Sequence, residues 1–142
     1  TMTHNTDFAK GFVPLLGNPK AIGETFHITS DEVLTWDQIY RTIAAAAGVS
    51  DPQLVHIPSD FIVAHAPEDE GGLHGDKAVS AVFDNSKIKG FVPDFACTTS
   101  FAEGMRRTIA WFEAHPEHQT VDAEWNAKMD RIIAAYESGL PR

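Results

Sequence analysis

Apolar residues recur along this chain with two different periods. Phe8, Phe12, Leu15 and Leu16 are spaced for one side of a helix that Asp7 caps and Gly17-Asn18-Pro19 ends, and the spacing predicts that this side meets a core. Trp36, Ile39, Tyr40, Ile43 and Ala47 form a second helical stripe. Thr35 and Gln38 make a capping box at its start, and Gly48 is its left-handed terminator. Pro58-Ser59 opens a further turn or two before Pro67, and Asp84-Asn85-Ser86-Lys87 begins a short helix that halts near Gly90 and Pro93. Ser100 and Glu103 suggest another capping box, ahead of a stripe of Phe101, Met105, Ile109 and Phe112 that runs to His115-Pro116. Asp122 caps a last helix with Trp125, Met129, Ile132, Ile133 and Tyr136 on one face.

Three segments alternate with the period of a strand: Thr25 to Thr29, Leu54 to Ile57 and, more weakly, Val79 to Phe83. Residues 24–57 then read as strand, helix, strand, a unit that closes as a right-handed parallel crossover. The expected fold class is α/β (or α+β): a small, mostly parallel sheet of about three strands packed with helices. Residues 66–77, rich in glycine and acids, are expected to be the longest loop.

Length and composition change this picture little. The 142 residues suffice for one domain with a core, and shares of 43% hydrophobic and 22% charged residues are ordinary for a globular chain. The formal net charge of -9 argues against nucleic acid as a partner, because phosphate binding needs a cationic surface. No apolar run has the ~20 residues that a bilayer crossing takes, so no membrane partner is expected. The lone Cys97 cannot form an internal disulfide, which fits a reducing, cytoplasmic setting and an inert thiol.

Candidate chemistry is sparse. His65, Glu68, Asp69, Glu70, His74 and Asp76 are plausible metal donors by type, yet their spacing matches no helix-borne His-Glu-x-x-His or calcium loop, and they read as a solvated acidic stretch without metal. Gly71-Gly72 lacks the preceding strand and following helix of a phosphate cradle, and no serine sits in a nucleophile elbow. Trp36, Trp111 and Trp125 fall on helices, where packing is the ordinary role, and His27 and His56 read as structural.

The order of blocks along the chain is more informative than any one of them. Thr3 to Ala9, then Gly23-Glu24-Thr25-Phe26-His27-Ile28, Leu34-Thr35 and Gly48, then Gly75-Asp76, Asp84-Asn85-Ser86-Lys87, Pro93, Glu103-Gly104 and Trp111, resembles the C-terminal half of extended short-chain dehydrogenases/reductases, the NAD-dependent epimerase/dehydratase family. The resemblance implies a single substrate-binding portion over residues 1–142, with the dinucleotide-binding Rossmann domain and its Tyr-x-x-x-Lys pair lying upstream. Tyr40 and Tyr136 are followed four places on by Ala44 and Leu140, so no catalytic residue carries over, and none of these residues is expected to bind cofactor. NAD or NADP belongs to the intact parent, an oxidoreductase in which a tyrosine exchanges a proton with a substrate hydroxyl. This portion alone is expected to be inactive. An atypical member of the superfamily, keeping the fold as a binding or scaffold protein that takes RNA, is the alternative.

By position in the family, Met2 and His4 on a first strand, the Ser30-Asp31-Glu32 loop, and Leu73-His74 before Gly75-Asp76 are implied to face the substrate, which is expected to be small and hydroxylated, and the parent's own Rossmann domain is the implied protein partner. Sugar-nucleotide epimerases of this family carry an arginine two places before the Gly-Asp pair; here that position is Leu73, which has no fork for a diphosphate. His74 supplies charge there only when protonated.

Overall fold

The computed structural model describes residues 1–139 and, for Asp76, the backbone alone. It is helical, and no strand occurs among the described residues. The six α-helices are α1 (Asn5–Phe12), α2 (Trp36–Ala46), α3 (Ser59–His65), α4 (Ser86–Phe91), α5 (Phe101–Ala114) and α6 (Ala123–Ser138), joined in places by short 3-10 turns and by a π turn at Gly71–Asp76. The described residues fall into two compact units. The first combines Thr1–Pro52 with Ala81–His115; the second combines Gln53–Ser80 with the residues from Pro116 on.

The expected three-stranded parallel sheet is therefore absent, and the α/β assignment is corrected to all-helical. Residues 25–29, 54–57 and 80–83 carry no regular structure. Alternation in sequence reports a segment with two unlike faces; a strand also needs a neighbour whose N–H and C=O groups meet its own. Here those groups turn elsewhere. Ser30 N–H donates to Thr3 Oγ1 at 3.0 Å, Thr29 C=O accepts from Asn85 Nδ2 at 2.8 Å, and Ala81 C=O accepts from the Thr1 ammonium at 3.4 Å. Side chains thus replace a ladder in the first unit. Met2 and His4, expected on a first strand, lie on the irregular segment that leads into α1.

Local helix chemistry is followed closely. At α2, Thr35 Oγ1 accepts from Gln38 N–H at 3.3 Å and Gln38 Oε1 accepts from Thr35 N–H at 2.8 Å, closing the capping box. Its far end is a Schellman turn: Gly48 has φ +79°, its N–H donates to Ala45 C=O, and Val49 N–H donates to Ala44 C=O. Asp122 Oδ1 caps α6 through Trp125 N–H at 2.9 Å, and Asp84 Oδ1 holds Ser86 N–H at 2.8 Å where α4 begins.

The first helix reverses its expected orientation. Its N-cap is His4, and its buried residues are Asp7 and Gly11. Phe8 and Phe12, expected in the core, stack on each other at 5.5 Å and stay more than 40% exposed. The reason is steric as well as polar. A Cβ on Gly11 would stand 2.6 Å from Ile28 Cγ2 and 3.1 Å from the Phe95 ring, so only glycine lets those residues press against the helix. The core of this unit is Ile39, Ile88 and Phe95, with α2 packed on α5. In the second unit Ala66 and Ile132 are buried, and Phe61 meets Tyr136 edge-on at 5.2 Å between α3 and α6. Residues 66–77, expected as an open loop, form a 3-10 turn at Pro67–Asp69 and then the π turn, and Lys128 of α6 holds the first through Glu68 and Asp69.

Candidate functional site

The first unit is knotted around Asp7. Its fully buried carboxylate accepts from the Thr98 and Thr99 amides at 3.1 and 2.8 Å and from Lys10 Nζ at 2.6 Å. Burial by itself raises this carboxyl, but the Lys10 ammonium and the Thr99 and Thr98 amides outweigh it and hold Asp7 well below the usual carboxylate range. Asp7 therefore does not cap its own helix: it ties α1 to the segment leading into α5. Cys97, beside this knot and half-buried, has its thiol pushed up by burial and by the charges of Asp7 and Asp31, which disfavours the thiolate.

The Ser30-Asp31-Glu32 segment is bound in the same way. Ser30, buried, donates through Oγ to Met2 C=O at 2.9 Å. Asp31 pairs with Lys89 at 2.6 Å and accepts from Asn85 Nδ2 at 2.9 Å, contacts that lower its carboxyl, the Lys89 bond most. Glu32 Oε2 accepts from Phe101 N–H at 2.7 Å, supplying the first turn of α5 with a carboxylate from elsewhere in the chain. Ser100 Oγ caps the Glu103 amide at 3.2 Å, while the Glu103 side chain, expected to complete a capping box, goes instead to Arg106 and Arg107.

Beside these contacts lies an open cleft of about 660 Å³ between the approach to α1 and the exposed side of α5. Met2 and His4 line it, together with the hydroxyl-bearing Thr3, Thr6 and Thr108, and Met105 and Trp111 make an apolar part of its wall. Among the described residues no aspartate or glutamate lines it, and the one full cation on its wall is Arg107. Arg107 Nε donates to Glu103 at 2.8 Å, a carboxylate that it shares with Arg106.

His4 is the most constrained polar group in the cleft. Its Nδ1 lies 2.7 Å from Thr6 Oγ1 and accepts from Thr6 N–H at 3.3 Å, which helps Asn5 Oδ1, at 2.9 Å from the same N–H, to cap α1. The Cδ2 edge of its ring meets α5 where Gly104 is buried: a Cβ there would come within 3.0 Å of His4 Cδ2. Gly104, Thr6, Thr108 and Arg107 were not singled out by sequence as site residues. A glycine inside an otherwise good helix, costing about 1 kcal/mol against alanine, was the one signal available. Trp111, read from sequence as a packing residue, is about half exposed on the cleft wall.

Of the residues implied to face a substrate, the structure brings Met2 and His4 to this cleft and engages Ser30, Asp31 and Glu32 in contacts within the same unit. Leu73 and His74 belong to the second unit, on the π turn. There His74 Nε2 lies 3.0 Å from Asp60 Oδ1. Among the described residues no group of three or more histidines, cysteines or carboxylates is placed to hold a metal ion, and no helix is long and apolar enough to cross a membrane.

No family model matches the chain, and no solved structure matches it. Among curated proteins, the chloroplast stem-loop binding protein of 41 kDa b from Arabidopsis thaliana is 37% identical over 59 residues, a stretch that is 41% of this chain and 16% of the plant protein. The chain is thus similar, over less than half of its length, to a small part of a protein named for binding a stem-loop.

Proposed function

We propose that this chain is the substrate-side portion of a protein like the short-chain dehydrogenases/reductases, and that the cleft beside His4 is where a small hydroxylated molecule binds. The observation that carries the reading is the make-up of the cleft, in which a thioether and indole wall faces a set of hydroxyls and one fixed imidazole, without carboxylates. A volume of about 660 Å³ is in the range of small-molecule sites. The parent's activity, an NAD(P)-dependent oxidoreduction of epimerase or dehydratase type, is proposed from the resemblance of the sequence blocks.

Among the described residues, the helix starts beside the cleft do not suit a dinucleotide. A pyrophosphate needs backbone amides at a helix start. The Phe101 amide at the start of α5 is held by the Glu32 carboxylate and the Thr6 amide of α1 by His4 and Asn5, while Gly71-Gly72 open a π turn rather than a helix of that kind. Cofactor binding falls instead to the parent's Rossmann domain. Fluorescence titration of the chain with NADH and NADPH is expected to show no saturable change; saturable binding of either would overturn this division of labour.

The similarity to a stem-loop binding protein favours a second reading, a binding protein that takes a nucleic-acid hairpin. Charge weighs against it. The net charge is -9, and Lys10, Lys87, Lys89 and Lys128 are paired with carboxylates of the same chain, while Arg106 and Arg107 share Glu103. Gel-shift titration with a hairpin RNA at two salt concentrations separates the readings: salt-sensitive binding establishes the second, and no shift leaves the small-molecule reading.

A further inference from the structure

We infer that His4 is the specificity-determining donor of the cleft, presenting Nε2–H to an acceptor oxygen of an uncharged, hydroxyl-bearing ligand. The inference rests on the small-molecule reading above and adds the ligand's charge and the residue that selects it.

Three observations meet at this ring. Thr6 engages Nδ1 through its hydroxyl at 2.7 Å and through its N–H at 3.3 Å, the latter shared with Asn5 Oδ1 at 2.9 Å, so turning the ring gives up two contacts to one residue. With Nδ1 accepting, the proton resides on Nε2, which has no hydrogen-bond partner among the described residues. Gly104 is buried against the Cδ2 edge of the ring, and a larger residue there would press on the imidazole. A donor held by its neighbours on an apolar-walled surface contributes orientation at little entropic cost.

The charge of the ligand follows from what surrounds the donor. No carboxylate among the described residues lines the cleft, which removes the attraction for a cation. An anion is disfavoured at the helix end: the start of α5 is occupied by the Glu32 carboxylate, which repels a phosphate approaching there, while Arg107 is tethered to Glu103, a carboxylate it shares with Arg106. A neutral molecule with hydroxyl oxygens and an apolar face matches the threonine hydroxyls on one side and Met105 and Trp111 on the other.

The test is an NMR titration of the whole chain with maltose and uridine, and with maltose 1-phosphate and uridine monophosphate as their charged counterparts, followed at the His4 ring and at Thr108. At least one uncharged probe is expected to shift both saturably, with its phosphate at least about threefold weaker. His4→Asn keeps an acceptor to cap α1 but removes the ring donor. It is expected to fold, with its backbone spectrum retained outside residues near position 4, and to lose about three- to tenfold in affinity, the range of one neutral hydrogen bond. Phosphates that bind as well as or better than the uncharged probes, or equal affinity in His4→Asn, overturn the inference and leave the cleft as a binding site. If no probe of either kind shifts the cleft residues at millimolar concentration, the small-molecule reading itself falls.

Discussion

Asp7 is the residue on which the first unit depends most. It is fully buried and satisfies two amides and an ammonium at once, so Asp7→Ala strands the Thr98 and Thr99 N–H groups and leaves Lys10 without its partner. Breaking such a pair costs about 3–5 kcal/mol, and the lower end is expected because Lys10 can still reach water. Urea denaturation of the variant checks this. The same residue sets an acid limit. Its carboxyl is lowered in the folded state, so the stability it contributes is complete above the ordinary carboxylate range of about pH 4 and is lost as pH falls below that toward the depressed folded value. Denaturation midpoints of the native chain should therefore fall steeply below about pH 4, and Asp7→Ala should flatten that slope. The sequence showed an aspartate at a helix start and predicted a cap. That it serves another segment, more than ninety residues away, depends on a packing that no local pattern encodes.

At the scale of elements, α1 and α5 give opposed predictions to those that periodicity suggests. Phe12 lies on the predicted core stripe of α1, where truncation to alanine would cost about 3–5 kcal/mol. In the structure it is 44% exposed against Phe8, and Phe12→Ala should cost only about 1 kcal/mol, mostly the ring pair. Gly11→Ala, which helix propensity alone would favour, should instead destabilise by about 1–3 kcal/mol, because Ile28 Cγ2 is a branch close to its own backbone and cannot swing away. Thermal melts of both variants decide which face is inside. Glu32→Ala should cost about 1 kcal/mol through loss of the carboxylate at the start of α5, read as faster amide exchange at Phe101. The capping box at α2 and the aspartate cap at α6 were legible in the sequence because both partners lie within four residues. The missing half of the Ser100 box was not, since Arg106 and Arg107 compete for Glu103 on the same helix surface and Glu32 arrives from outside it.

For the molecule as a whole, the internal pairing of its cations is the decisive property. Lysines and arginines engaged with their own carboxylates offer little to a phosphate backbone, and those exposed pairs are worth little to stability either. In the second unit, Lys128 is the most sheltered of them, and its two carboxylate partners, Asp69 foremost, raise its ammonium above the usual lysine range. Lys128→Met should leave the rest of α6 intact and speed amide exchange at Asp69 and Glu70, whose N–H groups close the 3-10 turn, measured by hydrogen exchange.

By itself, the sequence determined where α2, α5 and α6 start, where α2 stops, and that the chain is acidic. These are properties of neighbours within a turn or two, or of composition, and need no knowledge of the remainder. Tertiary structure alone decided that the alternating segments remain unpaired, that Asp7 and Gly11 rather than Phe8 and Phe12 face inward on α1, and that Ser30, Asp31 and Glu32 are engaged by their own chain. It also decided that Gly104 and Thr6 hold His4 at a cleft. Each depends on groups far apart in sequence meeting at hydrogen-bond or van der Waals distance, and periodicity records only that a residue has a face, not what covers it.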